Sequence, residues 1–176
     1  MTPPRRAFRI LFLCFVLLAA GCAREPLTEL KIHAESPIRF AMWRVDVSDR
    51  LNREQWRLFD QAMQERKFRI MQNGAASGSA GVDEALMSEI DGKLLYDMVQ
   101  PSLQARLNRL TLEKAELEAR IAANTRLKTR EGDYDSAQVL RDTIATQTLR
   151  ARKLDYQIAD AIDDLNLLEK TFHPER

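Results

Sequence analysis

Between residues 136 and 172 the side chains Leu140, Ile144, Ala151, Leu154, Ile158, Ala161, Leu165, Leu168 and Phe172 recur in alternating steps of four and three, with Gln147 in the one polar step. That alternation keeps a narrow apolar stripe on one side of a helix and marks a helix packed along its length against another. A half-buried strand would need a period of two instead. A second series has the same spacing: Leu103, Leu107, Leu110, Leu117 and Ile121, with Lys114 filling one step and Asn124 continuing it. It predicts a helix over 93–128. Pro101 is expected to kink or divide that helix, because proline lacks an amide hydrogen and crowds the preceding turn. Residues 129–135 read as the turn, with Gly132 and Asp133 at its tip. Folding there is expected to set Lys114 beside Arg150 and Ala151, and Asn124 beside Leu140. Two seams of similar length can then face each other as an antiparallel coiled coil.

The rest of the chain agrees with an all-α class. Six glycines, six prolines and 7% aromatic residues among 176 are too few turn-formers and strand-formers for many short strands. Residues 38–73 read as a smaller N-terminal helical segment. Within it, Ile38, Phe40 and Met42 alternate as in a strand, but no second strand is available to pair, so 38–51 is read as helix. Residues 53–72 form a clearer helix, with Asn52 and Gln55 as a capping box and Trp56, Phe59, Met63 and Ile70 on one face. A Trp-and-Met stripe at this spacing is core. Residues 74–82, with three glycines and two serines, read as a flexible loop. The hairpin unit follows over 83–172. It opens with a short helix over 83–90 and has Asp91 as a candidate cap for the long helix. Two helices alone cover one stripe each. Leu94, Leu95, Met98, Leu112 and Leu149 therefore need the 38–72 helices, a second chain, or both over them.

The first residues carry a different pattern. Arg5, Arg6 and Arg9 precede an uncharged apolar run over 10–20, and the small residues Ala19, Ala20 and Gly21 lead into Cys22. The run falls short of the about 20 residues needed to cross a bilayer, so 1–21 reads as an export signal. Leu18, Ala19, Ala20, Gly21 and Cys22 resemble the lipobox of bacterial lipoproteins, with Ala19 where leucine is commonest. The resemblance implies cleavage before Cys22 and acylation of that residue, which anchors the chain in membrane lipid. Ala23, where aspartate would favour retention, implies the outer membrane, facing the periplasm. Residues 22–37, interrupted by Pro26, Ser36 and Pro37, are expected to be a tether. Cys14 lies within the signal, so the exported body has no cysteine left for a disulfide.

No constellation for catalysis stands out. His33 and His173 have no companion at metal-ligand spacing, no HExxH or CxxC is present, and Ser77, Ser79, Ser88 and Ser136 have no histidine nearby. The glycines of 74–82 lack a P-loop lysine. Asp133 with Asp135, and Asp160 with Asp163 and Asp164, are paired carboxylates, read as solvated turn and helix acids. The expectation is thus no enzyme, no metal and no cofactor. Formal net charge is +1, without the basic stripe of a nucleic-acid binder. The chain reads as a membrane-anchored, non-enzymatic interaction or scaffold module. Its expected partners are membrane lipid through Cys22 and an envelope protein or a second copy. The competing reading is a periplasmic chaperone-like or transport-adaptor hairpin. The expected tip, with Thr129, Arg130, Glu131, Asp133 and Asp135, is polar where a client-gripping arm would be apolar.

Overall fold

The computed structural model describes residues 26–74 and 78–172. Five α-helices follow a short 3-10 turn at Leu27–Glu29: α1 Pro37–Asp46, α2 Arg53–Gln72, α3 Gly78–Ile90, α4 Leu95–Arg126 and α5 Tyr134–Phe172. The signal segment 1–21, Cys22, residues 75–77 of the glycine-rich loop and His173 lie outside the described residues.

α4 and α5 form the antiparallel hairpin. At 32 and 39 residues they are about 48 and 58 Å long at a rise of 1.5 Å per residue. All ten seam positions of α5 are buried or half-buried, as are Leu103, Leu107, Leu110, Leu117 and Ile121 on α4. α4 is one uninterrupted helix, so Pro101 does not divide it. Pro101 sits on the exposed side, and the neighbouring Met98 carbonyl accepts from Ser102 Oγ at 2.6 Å and from Arg66 Nη2 at 3.1 Å.

The register agrees with simple folding about Gly132 at one pair, Glu113 with Arg150, and departs from it at others. Asn124 donates to Gln147 at 3.0 Å, a heptad beyond Leu140, and Lys114 pairs with Asp155 at 2.5 Å. The cause lies in the connection. α4 ends at Arg126, residues 127–133 are not helical, and α5 starts at Tyr134 with Asp133 accepting from Ser136 N at 3.1 Å. This early start makes the first turns of α5 overhang the end of α4.

α2 lies on the hairpin, with the capping box at Asn52 and Gln55 that the spacing predicts. Leu58, Phe59, Ala62, Met63 and Ile70 are buried, while Trp56 is half-buried. α1 begins where Ser36 and Pro37 were expected to break regularity. Ser36 Oγ accepts from Arg39 N at 3.2 Å, and Pro37 takes the first helical position, where its missing amide costs nothing. Phe40 and Trp43 of α1 stack against each other and tilt onto Phe59 of α2. α3 starts at Gly78, five residues before the expected start at 83, within the stretch read as loop. Val82, Leu86 and Ile90, four apart, are all buried, and tertiary packing overrides the low helix propensity of Gly78 and Gly81.

The expected tether is the largest correction. Residues 30–34 are laid into the base of the hairpin, with Leu30, Ile32 and Ala34 at 4%, 0% and 1% exposure. Lys31 and Leu94 form an antiparallel bridge. Ile32 N donates to Lys93 O at 2.9 Å, Gly92 N to Ile32 O at 2.9 Å, and Leu95 N to Leu30 O at 2.7 Å. Asp91 does not cap α4; its Oδ1 accepts from Ala34 N at 2.7 Å. Gly92 makes the turn there with φ +70°, a conformation that side chains disfavour. The main core, at the base, thus draws on this segment and on all five helices, including Leu168 and Phe172 of α5. A separate, smaller cluster of Leu110, Leu117, Ala151, Leu154 and Ala161 fills the seam beyond it.

Candidate functional site

The residues singled out for chemistry do not converge. Cys22 lies outside the described residues. His33 is exposed, with Glu35 at 3.7 Å. Asp133 caps α5, and the hydrogen bond from the Ser136 amide holds its carboxyl below the usual range. Asp160 and Asp163 point to solvent, whereas Asp164 is buried at 3% exposure. Among the described residues no group of three or more His, Cys, Asp or Glu is placed to hold a metal ion. No helix among them is long and apolar enough to cross a membrane.

The buried charges instead tie the helices together. Asp164 of α5 accepts from Arg57 of α2 at 2.6 Å and from Arg106 of α4 at 2.8 Å. Glu65 of α2 takes Arg109 of α4 side-on, at 2.9 and 2.6 Å, and the guanidinium lies 4.6 Å above the Phe68 ring. That paired geometry raises the Arg109 pKa. Arg66, at 6% exposure, donates to Ser102 Oγ at 2.7 Å and pairs with Glu89 of α3. Burial lowers its pKa and the Glu89 charge opposes that shift. Every buried side-chain nitrogen and oxygen among the described residues has a partner. These groups are consumed by each other and read as structure. The sequence held no signal for them, because each partner lies at least 23 residues away in the chain.

What remains as a candidate surface is the distal hairpin. Fully buried seam positions end at Leu117 on α4 and Ala151 on α5. Beyond them Ile121, Leu140 and Ile144 are only half-buried, and the Asn124–Gln147 hydrogen bond replaces apolar packing. Leu127, Tyr134 and Val139 are 60%, 82% and 65% exposed at this end. The tip is therefore less polar than its turn residues alone imply. Further down, Lys114 holds Asp155 and Glu118, and the hydrogen bond to Asp155 raises its pKa. Exposed Leu112, Leu149 and Tyr156 lie on the outer faces. No family model, curated protein or solved structure matches the chain.

Proposed function

We propose that this chain is a lipid-anchored protein of the bacterial envelope that works as a non-enzymatic interaction or scaffold module. The anchor is Cys22, supported by the lipobox-like residues 18–22, and Ala23 favours the outer membrane with the body in the periplasm. The observation that carries the interaction role is the contrast along the hairpin. Among the described residues the base is covered by α2, α3 and the N-terminal segment, while the distal seam has no third layer and exposes Leu127, Tyr134 and Val139. A half-buried apolar seam on a rigid base suits a partner helix that completes it.

The same three side chains favour one second reading, a chaperone-like arm that grips unfolded segments. The deciding experiment places a photocrosslinking residue at Val139 in the anchored protein in intact envelopes, with Cys22→Ser in parallel. One discrete adduct, lost with Cys22→Ser, supports the scaffold. Many unrelated adducts support the chaperone reading. No adduct at Val139, with discrete ones at an outer-face position such as Tyr156, overturns the distal hairpin as the working surface.

A further inference from the structure

α1 is apolar on both sides. Its inner side buries Phe40 and Trp43, with Val47 just beyond its end. Its outer side presents Ile38, Met42 and Val45, exposed by 74%, 53% and 71%. These three are spaced by four and three residues and so share one face. The charged residues Arg39, Arg44 and Asp46 lie between these two sides, so the helix carries two separate apolar stripes, of which only the inner one is used by the fold. Among the described residues nothing covers the outer face.

The chain itself points to what does. The N-terminal segment is no tether, because Leu27 packs on the core and Leu30 and Ile32 are buried in it. Only residues 23–25 separate Cys22 from the first described residue, Pro26. At about 3.5 Å per residue, Pro26 stays within roughly 14 Å of the anchored cysteine. The body is therefore held close to the lipid surface, by the side from which residues 26–31 emerge. α1 is fastened to that same segment: Trp43 Nε1 donates to Lys31 O at 2.7 Å. Exposed Lys31 and Arg39 are balanced here by exposed Glu29, Glu35 and Asp46, so the apolar stripe and the short link to Cys22, not charge, carry the seating.

We propose that the outer face of α1, formed by Ile38, Met42 and Val45, rests on the lipid bilayer and seats the base of the hairpin against the membrane. This rests on the anchored reading of Cys22. An amphipathic face adds to an acyl anchor as a second membrane signal, and here it also fixes orientation. α4 carries the tip about 48 Å from Leu95, so a seated base leaves the distal hairpin free to reach other envelope components.

The test uses the acylated, full-length mature protein reconstituted into vesicles of phosphatidylethanolamine and phosphatidylglycerol. Acylation removes the Cys22 thiol, so Ile38→Cys, Met42→Cys, Val45→Cys and Leu149→Cys each give one site for an environment-sensitive fluorophore. Leu149 is as exposed as the α1 stripe, at 66%, but lies on the hairpin. The expected result is a blue shift and quenching by brominated acyl chains at 38, 42 and 45, with neither at 149. Equal quenching at 149 overturns the proposal, since the hairpin would then lie flat. Labels at 38, 42 and 45 that stay in water while the protein floats with the vesicles overturn it and leave the anchor intact. A blue shift at 42 without vesicles that grows with protein concentration assigns the face to a second copy and overturns it as well. If mass analysis finds no acyl chains on Cys22, and the protein floats no better than Cys22→Ser, the anchored reading falls and takes this inference with it.

Discussion

Asp164 ties three helices together, and its removal has a cost that the geometry allows one to work out. Its carboxylate is 3% exposed and accepts from Arg57 and Arg106 at 2.6 and 2.8 Å. The Gln61 amide, turned with its nitrogen inward, adds a third donor at 2.8 Å. A hydrogen bond to a charged group contributes about 1.5–3 kcal/mol. The two arginines do not count equally. The Arg57 side chain is 47% exposed and can return to water, which reduces its share to under about 1 kcal/mol. The Arg106 side chain is 20% exposed and is left with an unpaired charge against the core. Asp164→Ala is thus expected to destabilise by about 3 kcal/mol. For a body of this size that lowers Tm by roughly 6–12 °C. Asp163→Ala, one residue away and exposed, is the control and should stay within about 0.5 kcal/mol. Urea unfolding gives both values, and double-mutant cycles divide them: coupling of Asp164 to Arg106 should exceed coupling to Arg57 by about 1 kcal/mol. Equal effects of Asp164→Ala and Asp163→Ala, or no coupling to Arg106, would refute the reasoning.

Three further outcomes are expected. Ile32→Ala, at a fully buried site, should destabilise by about 3 kcal/mol and expose the bond after Lys31 to trypsin; a tether would show neither effect. Replacing Asn124 and Gln147 together by leucine should raise the urea midpoint, because an apolar pair replaces a hydrogen bond whose gain is largely offset by desolvation; a lower midpoint would show that the polar pair stabilises the hairpin. Asp133 has a folded pKa below its ordinary value of 3.8, so its contribution to the start of α5 is complete above that value and is lost as pH falls through the lower, folded one. Hydrogen exchange at the Ser136 amide should accelerate in that acid window, and Asp133→Ala should be fast at all pH; unchanged exchange in the variant would remove the cap from the account.

The parts of the fold that could be read from sequence are those set by local spacing. The heptad steps of α5 and the Asn52 capping box depend on residues three or four apart, and both form as read. The errors arise where distant chain decides. Leu30, Ile32 and Ala34 alternate with a period of two, a strand signal in the sequence, but it has no visible partner until the turn at Gly92 offers one. Gly78 and Gly81 look like loop because propensity is local, yet Val82, Leu86 and Ile90 hold the helix from below. The hairpin register depends on how 127–133 returns, which no seam residue encodes. Ion pairs such as Glu65 with Arg109 depend on a crossing of α2 over α4 that only the finished core defines. The candidate site divides in the same way. The lipobox-like run is a local pattern, whereas the exposed stripe of α1 becomes notable only once its opposite face is known to be buried.

The hairpin is held unevenly, and this bears on how it could work. At the base Leu95, Met98, Val99, Leu103 and Leu168 are at most 1% exposed. At the tip the ties between helices are one amide pair and half-buried aliphatics. The intermediate ion pairs, Glu113 with Arg150 and Lys114 with Asp155, each have one partner more than half exposed and contribute little. Opening of the distal third therefore costs much less than unfolding the base, so amides there should exchange first. A partner helix that completed the burial of Ile121, Leu140 and Ile144 would gain about 1 kcal/mol at each, roughly half the value of a full aliphatic burial. About 3 kcal/mol is too little to remodel the base and enough to shift a loosely closed tip. The partner would thus be sensed as slowed exchange between residues 121 and 147, with no change around Leu103. Slowing that spread to the base would mean that the two clusters form a single cooperative unit.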